Sequence, residues 1–156
     1  MSWQQTQRNM IRELNEKIFS RDPIVLLKES YSSMDVRNSN YIMELKNREK
    51  YGPNDFDGSL IEKIKYDFLV NQAKVEDKIP GYVCRFNDSS YWAWNLNELK
   101  EPTWYKKDLP QSTHFGKVEF IPKDVGDCGK SFLYHLGSSN SFKFQAQYEL
   151  SLNLHT

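Results

Sequence analysis

Asp35, Glu44 and Lys46 are the residues of this chain whose types and spacing could do chemistry. The stretch from Asp35 to Arg48 (Asp-Val-Arg-Asn-Ser-Asn-Tyr-Ile-Met-Glu-Leu-Lys-Asn-Arg) reads as a β-hairpin. Asp35 ends one strand, Arg37-Asn38-Ser39-Asn40 makes the turn, and Tyr41 to Lys46 is the second strand. Side chains alternate along a strand, so Glu44 and Lys46 share one face and Met43 and Leu45 the other. Two carboxylates and an amine then converge at one edge of a small sheet, the oxygen-rich setting that a hard divalent cation requires. The plainer reading of the same residues is a solvated hairpin with an ordinary cross-strand ion pair.

The elements that must position this hairpin follow from the pattern on either side. Ser2 to about Ser20 is expected to be an amphipathic helix, with Met10, Ile11, Leu14 and Ile18 on its inner face and Gln7 in the same row. Arg21-Asp22-Pro23 ends it. Ile24 to Leu27 is a short apolar run that fits a strand or a helical turn, and Lys28 to Asp35 is the first strand of the hairpin. Asn47 to Gly58 is a loop. A second helix is expected over Ser59 to Lys74, with Ser59 as N-cap and Glu62 completing a capping box. Its apolar face is Leu60, Ile61, Ile64, Phe68 and Leu69, and Lys65 lies beside that stripe with its amine within reach of the sheet edge. A second hairpin pairs Tyr82–Phe86 with Tyr91–Leu96. Glu101 to Gly116 reads as loop, Lys117 to Pro122 as a strand, Gly126 to Ser141 as turns around Phe132–Leu136, and Phe142 to Leu152 as a last strand. The fold class is α/β (α+β), with one central mixed sheet flanked by helices.

Composition bounds the partners. A chain of 156 residues with 14% aromatics forms one packed domain. Charged residues make up 27% and cancel to a formal net charge of zero, so any nucleic-acid surface must be a local patch. Cys84 and Cys128 match no metal-ligand spacing, which fits a reduced, cytoplasmic protein. Neither a signal peptide nor a membrane-spanning run is expected.

Asp35, a turn, and then Glu44-Leu45-Lys46, with a helix before and a helix and two strands after, resembles the PD-(D/E)xK nuclease core, the restriction-endonuclease-like fold. The resemblance covers roughly residues 5 to 100 of the single domain and leaves 101–156 as an irregular tail with short strands. It implies a Mg²⁺-dependent DNA endonuclease, with Mn²⁺ able to substitute, in which Asp35 and Glu44 are the metal ligands and Lys46 is catalytic. The family's frequent Pro before the Asp is Met34 here. The acid that many members carry on the first helix is replaced by Gln7, as in archaeal Holliday-junction resolvases, with Glu13 or Glu16 as alternatives. The carbonyl of Leu45 is a further expected ligand. The implied partner is double-stranded or branched DNA bound by a homodimer, in a cytoplasm that can be that of the host cell of a phage, virus or mobile element. Site-specific cleavage of the homing or restriction type, resolution of branched DNA, cleavage of RNA and a non-catalytic nucleic-acid-binding module all remain open.

Other residues are weighed against this set. Lys65 and Arg48 are candidate phosphate contacts, and Trp104, Lys106 and Lys107 form the best local aromatic-basic patch. A second triplet, Glu76-Asp77-Lys78, has Asp67 at the same distance before it as Asp35 is before Glu44. No apolar strand leads into it, and Asp67 sits inside a helical pattern, so it is set aside. His114, His135 and His155 fit no zinc or triad spacing.

Overall fold

The computed structural model describes residues 2–29, 33–52, 55, 58–110, 119–129 and 133–137. Among them the order is α1 (Trp3–Lys17), β1 (Val25–Glu29), β2 (Ser33–Arg37), β3 (Tyr41–Arg48), β4 (Gly58–Glu62), α2 (Lys63–Glu76), β5 (Ile79–Phe86), β6 (Tyr91–Asn95), β7 (Tyr105–Pro110), β8 (Phe120–Gly129) and β9 (Leu133–Gly137). The chain is α+β. A mixed six-stranded sheet has the order β1-β2-β3-β5-β6-β9, and a separate three-stranded sheet has the order β4-β8-β7. No helix among the described residues is long and apolar enough to cross a membrane.

The expected hairpin is present as the antiparallel pair β2–β3, in register from Ser33 opposite Lys46 to Arg37 opposite Ile42. Its turn is held from both sides. The Asn38 side-chain oxygen accepts from the backbone N–H groups of Asn40 and Tyr41, a local turn that Asn favours. Asp22 accepts from the N–H of Ser39 and from the Asn40 side chain. The chain then leaves the sheet through β4 and α2 and returns as β5, parallel to β3. Parallel neighbours need such a long crossover. Gly81 faces Met43 across this pair, and a Cβ there would stand 2.8 Å from the Met43 Cγ.

Two cores result. On one side of the large sheet, Met10, Leu14 and Ile18 of α1 pack with Met34, Val36, Met43, Leu45 and Val83. On the other side, Tyr66, Leu69 and Ala73 of α2 pack with Ile42, Tyr82, Cys84 and Trp94, joined by Ile61 and Cys128 from the small sheet. Cys84 and Cys128 are buried free thiols.

Several expectations are corrected. Of the two options for Ile24 to Leu27 the structure takes the strand, as the edge strand β1 over Val25–Glu29, and the first strand of the hairpin starts at Ser33 rather than Lys28 and runs past Asp35 to Arg37. Strand β3 runs two residues past Lys46, into the expected loop. Ser59 does not cap a helix and Glu62 does not complete a capping box. Residues 58–62 form β4, paired antiparallel with β8, and α2 starts at Lys63 with no side-chain cap hydrogen bond. Ladder pairing with a strand more than sixty residues away in sequence outweighs a local cap worth about 1 kcal/mol. The later start removes Leu60 and Ile61 from the helix and exposes Ile64 (75%) and Phe68 (41%), which the expected stripe placed inside. The described part of the tail is richer in strand than expected. Residues 105–110 form a strand rather than loop, β8 runs on to Gly129, and β9 extends the main sheet. The one sheet expected is therefore two. The expected strand over 142–152 lies outside the described residues.

Gly126 gives a stability test. A Cβ there would lie 2.5 Å from the Pro102 Cβ and 3.1 Å from the Trp104 ring, a ring and a rigid pyrrolidine with little room to shift. At Gly81 the obstacle is a flexible methionine side chain. Gly126→Ala is expected to lose about 1–3 kcal/mol of unfolding free energy, as overpacking does, and Gly81→Ala less. Urea denaturation of both variants checks the ranking.

Candidate active site

Asp35 and Glu44 stand directly opposite each other across β2–β3 and so share a face, and Lys46 follows Glu44 on that face. Both carboxylates are buried, each at 4% exposure. Across the parallel pair, Tyr82 lies beside Glu44 and Cys84 beside Lys46. This is the α2 side of the sheet, because Met43, Leu45, Met34 and Val36 pack toward α1.

Burial on that scale demands compensation. Lys65, in the first turn of α2, supplies part of it: its Nζ lies 3.0 and 3.2 Å from the two Asp35 carboxylate oxygens. Ser33, two residues before Asp35, donates its hydroxyl to the Glu44 side chain. Desolvation by burial still pushes the Glu44 carboxyl above the usual carboxylate range, with Asp35 adding to the rise and Lys46 and Lys65 opposing it. Burial also pushes the Lys46 amine below the usual lysine range, with Arg48 adding to the fall and Glu44 and Glu62 opposing it.

The other expected site residues separate from this group. Arg48 is next on the face after Lys46, but its guanidinium donates to the Leu60 carbonyl and the Tyr82 hydroxyl, both at 2.8 Å. It fastens β3 to β4. Gln7 is buried in the row of α1 that also carries Met10 and Leu14, and those two residues pack on the side of the sheet opposite Asp35 and Glu44. Glu13 forms an ion pair with Lys17 within α1. The Leu45 side chain belongs to the α1 core, so only its main-chain carbonyl is left to act as a ligand. Trp104 meets Tyr66 edge-on, with the Lys63 amine 5.7 Å above its ring. Lys106 pairs with Asp124, and Lys107 is exposed on β7 directly opposite Lys123. The rejected triplet falls at the end of α2, where Asp77 takes a left-handed φ of 54° and Glu76 pairs with Arg37 and Lys78.

Ser33 and Glu62 belong to the site although neither is among the residues expected there. Ser33 carried a usable signal, since period two places it on the face of Asp35. The sequence pattern makes Glu62 part of a capping box. Its carboxylate instead lies near Lys46 and pairs with Lys123 of β8 at 2.9 Å.

The donor set suits a hard cation. Among the described residues no group of three or more His, Cys, Asp and Glu side chains gathers as a ligand cluster. Two opposed carboxylates are enough for Mg²⁺, which keeps several waters and takes only one or two carboxylates from the protein. The Lys65 ammonium already seated against Asp35 shows that this position accommodates positive charge.

The raised Glu44 pKa fixes the sign of a pH effect. Between the ordinary value and the raised one, the folded chain binds more protons than the unfolded chain, so stability falls as pH rises through that window. Gln mimics the protonated carboxyl. Glu44→Gln is expected to melt at a higher temperature than wild type at pH 7 in EDTA, with the gap closing toward pH 4. A gap that widens toward acid would contradict this account. No family model matches the chain, and neither a curated protein nor a solved structure matches it, so the chemistry rests on these residues.

Proposed function

We propose that the protein is a Mg²⁺-dependent endonuclease of the restriction-endonuclease-like kind, hydrolysing phosphodiester bonds in DNA. One observation carries the reading: Asp35 and Glu44 are buried directly opposite each other, with Lys46 on the same face. A core gains nothing from two opposed carboxylates, which are destabilising as a pair. A site that must gather cations around a phosphate does. The order helix, three antiparallel strands, crossover helix and parallel strand supports the reading, with β4 inserted before the helix as an addition to the resemblance.

Asp35 and Glu44, with the Leu45 carbonyl, would hold the cation. When bound it would supply Lewis-acid polarisation of the phosphate and a more acidic water. Lys46 sits two residues beyond Glu44, and its lowered pKa brings the neutral, proton-accepting amine closer to working pH. In that form it takes a proton from the attacking water; as ammonium it offsets charge on the phosphate in the transition state. Glu62 holds the Lys46 charge from the α2 side. Cutting both strands of a duplex needs two such sites, so the active species in this reading is a homodimer.

A second reading has its own observation. Lys65 on Asp35 and Ser33 on Glu44 partly satisfy the pair internally, as in a binding module that keeps the fold without catalysis. Plasmid nicking separates the two. Wild type is expected to nick supercoiled DNA with Mg²⁺ and not with EDTA, and Glu44→Ala and Lys46→Ala are each expected to lose about 10²–10⁴-fold in rate. Glu76→Ala should cut at the wild-type rate. If wild type cuts no duplex, branched or single-stranded DNA and no RNA, the nuclease reading is wrong. RNA alone as substrate would change the substrate class.

A further inference from the structure

The geometry points to Lys65 as the exchangeable counter-cation of the Asp35–Glu44 pair: it occupies the position a divalent cation takes, and it must leave Asp35 when one binds. This rests on the cation-site reading above and concerns the residue that regulates that site.

The Lys65 amine straddles the Asp35 carboxylate, 3.0 Å from one oxygen and 3.2 Å from the other. That is the face of the carboxylate a cation would use. Asp35 is buried, so some positive charge must stand against it in the folded chain. The charge of Lys65 also acts on Glu44. One ammonium thus serves both carboxylates.

The two lysines of the site differ in their freedom to move. Lys46 grows from the middle of β3, in the centre of the main sheet, opposite Ser33 and beside Cys84. Lys65 reaches in from a helix, and its side chain is 27% exposed, against 5% for that of Asp35. Its four-carbon stem can swing the amine toward solvent without disturbing the ladder. An ammonium astride both oxygens of a carboxylate and a divalent cation on the same carboxylate repel each other strongly. Lys65 therefore opposes cation binding, whereas a lysine placed only to hold a phosphate would leave it unchanged.

Calorimetric titration of metal-free protein with Ca²⁺ tests this without reference to cleavage. Lys65→Met is expected to bind Ca²⁺ at least about tenfold more tightly than wild type. Lys65→Arg, which keeps the charge, should not bind more tightly. Lys63→Met removes the same charge two residues away, where it pairs with Asp67 instead, and should stay within about twofold of wild type, as a surface charge does. A tightening equal in Lys63→Met and Lys65→Met would reduce the effect to net charge and overturn the proposal. So would a wild type that binds Ca²⁺ as well as Lys65→Met or better, while leaving the cation site itself standing. If neither wild type nor variant binds Ca²⁺ or Mn²⁺, both the site and this inference fail. A measurement on the wild type needs no variant that folds: the ¹⁵Nζ signal of Lys65 should shift on Ca²⁺ saturation as the ion pair opens. An unmoved signal at saturation is the contrary result.

Discussion

The structure turns on one electrostatic constraint, two carboxylates facing each other across a buried strand pair. Register alone places Asp35 against Glu44, and burial takes both out of water. Like charges directly opposite are unfavourable, and desolvation makes each ionised group costly. The neighbouring residues offset that cost. Lys46 comes from the same strand, Ser33 from the strand opposite, and Lys65 from the helix that crosses over the sheet. The rise in Glu44 and the fall in Lys46 show that the compensation is incomplete. An incompletely neutralised carboxylate pair is a place where an added cation gains most.

The crossover is what makes the compensation possible. Between β3 and β5 the chain builds β4 and then α2, and α2 sets Lys65 over Asp35. The staple from Arg48 to the Leu60 carbonyl and the Tyr82 hydroxyl holds β4 against the main sheet. The Tyr82 hydroxyl also donates to the same carbonyl at 2.9 Å, while its ring stacks on Trp94. Ser59 meets Cys84 at 3.5 Å on the inner side of β4. The small sheet thus fixes the start of α2, and with it the origin of the lysine that reaches the site. Glu62 and Lys123 extend the same line of charge onto β8.

The hairpin and its three chemical residues were legible in the sequence because they depend on local rules. Asn38 makes its own turn, strand alternation sorts Glu44 and Lys46 from Met43 and Leu45, and the run before Lys46 is apolar enough to be buried. Rejection of Glu76-Asp77-Lys78 was equally local, since a polar segment after a helix offers no strand. The first helix was legible for the same reason, with Ser2 as its N-cap. The start of α2 was not. Ser59 and Glu62 satisfy a capping pattern, and only β8, from a part of the chain that reads as loops and turns, draws them into a ladder.

The sequence by itself determined the identity and face of Asp35, Glu44 and Lys46, because side-chain alternation is a property of the strand alone. It also placed Lys65 within reach of the sheet edge. Only the tertiary structure decided that the carboxylate face of the hairpin is buried rather than solvated, since α2 and the small sheet pack over that face. It likewise decided that Arg48 is spent on a staple while Lys65 is spent on Asp35, and that the Met10 and Leu14 row of α1 packs on the other side of the sheet. Those outcomes depend on which distant elements meet, and no local spacing encodes a meeting between strands separated by a helix.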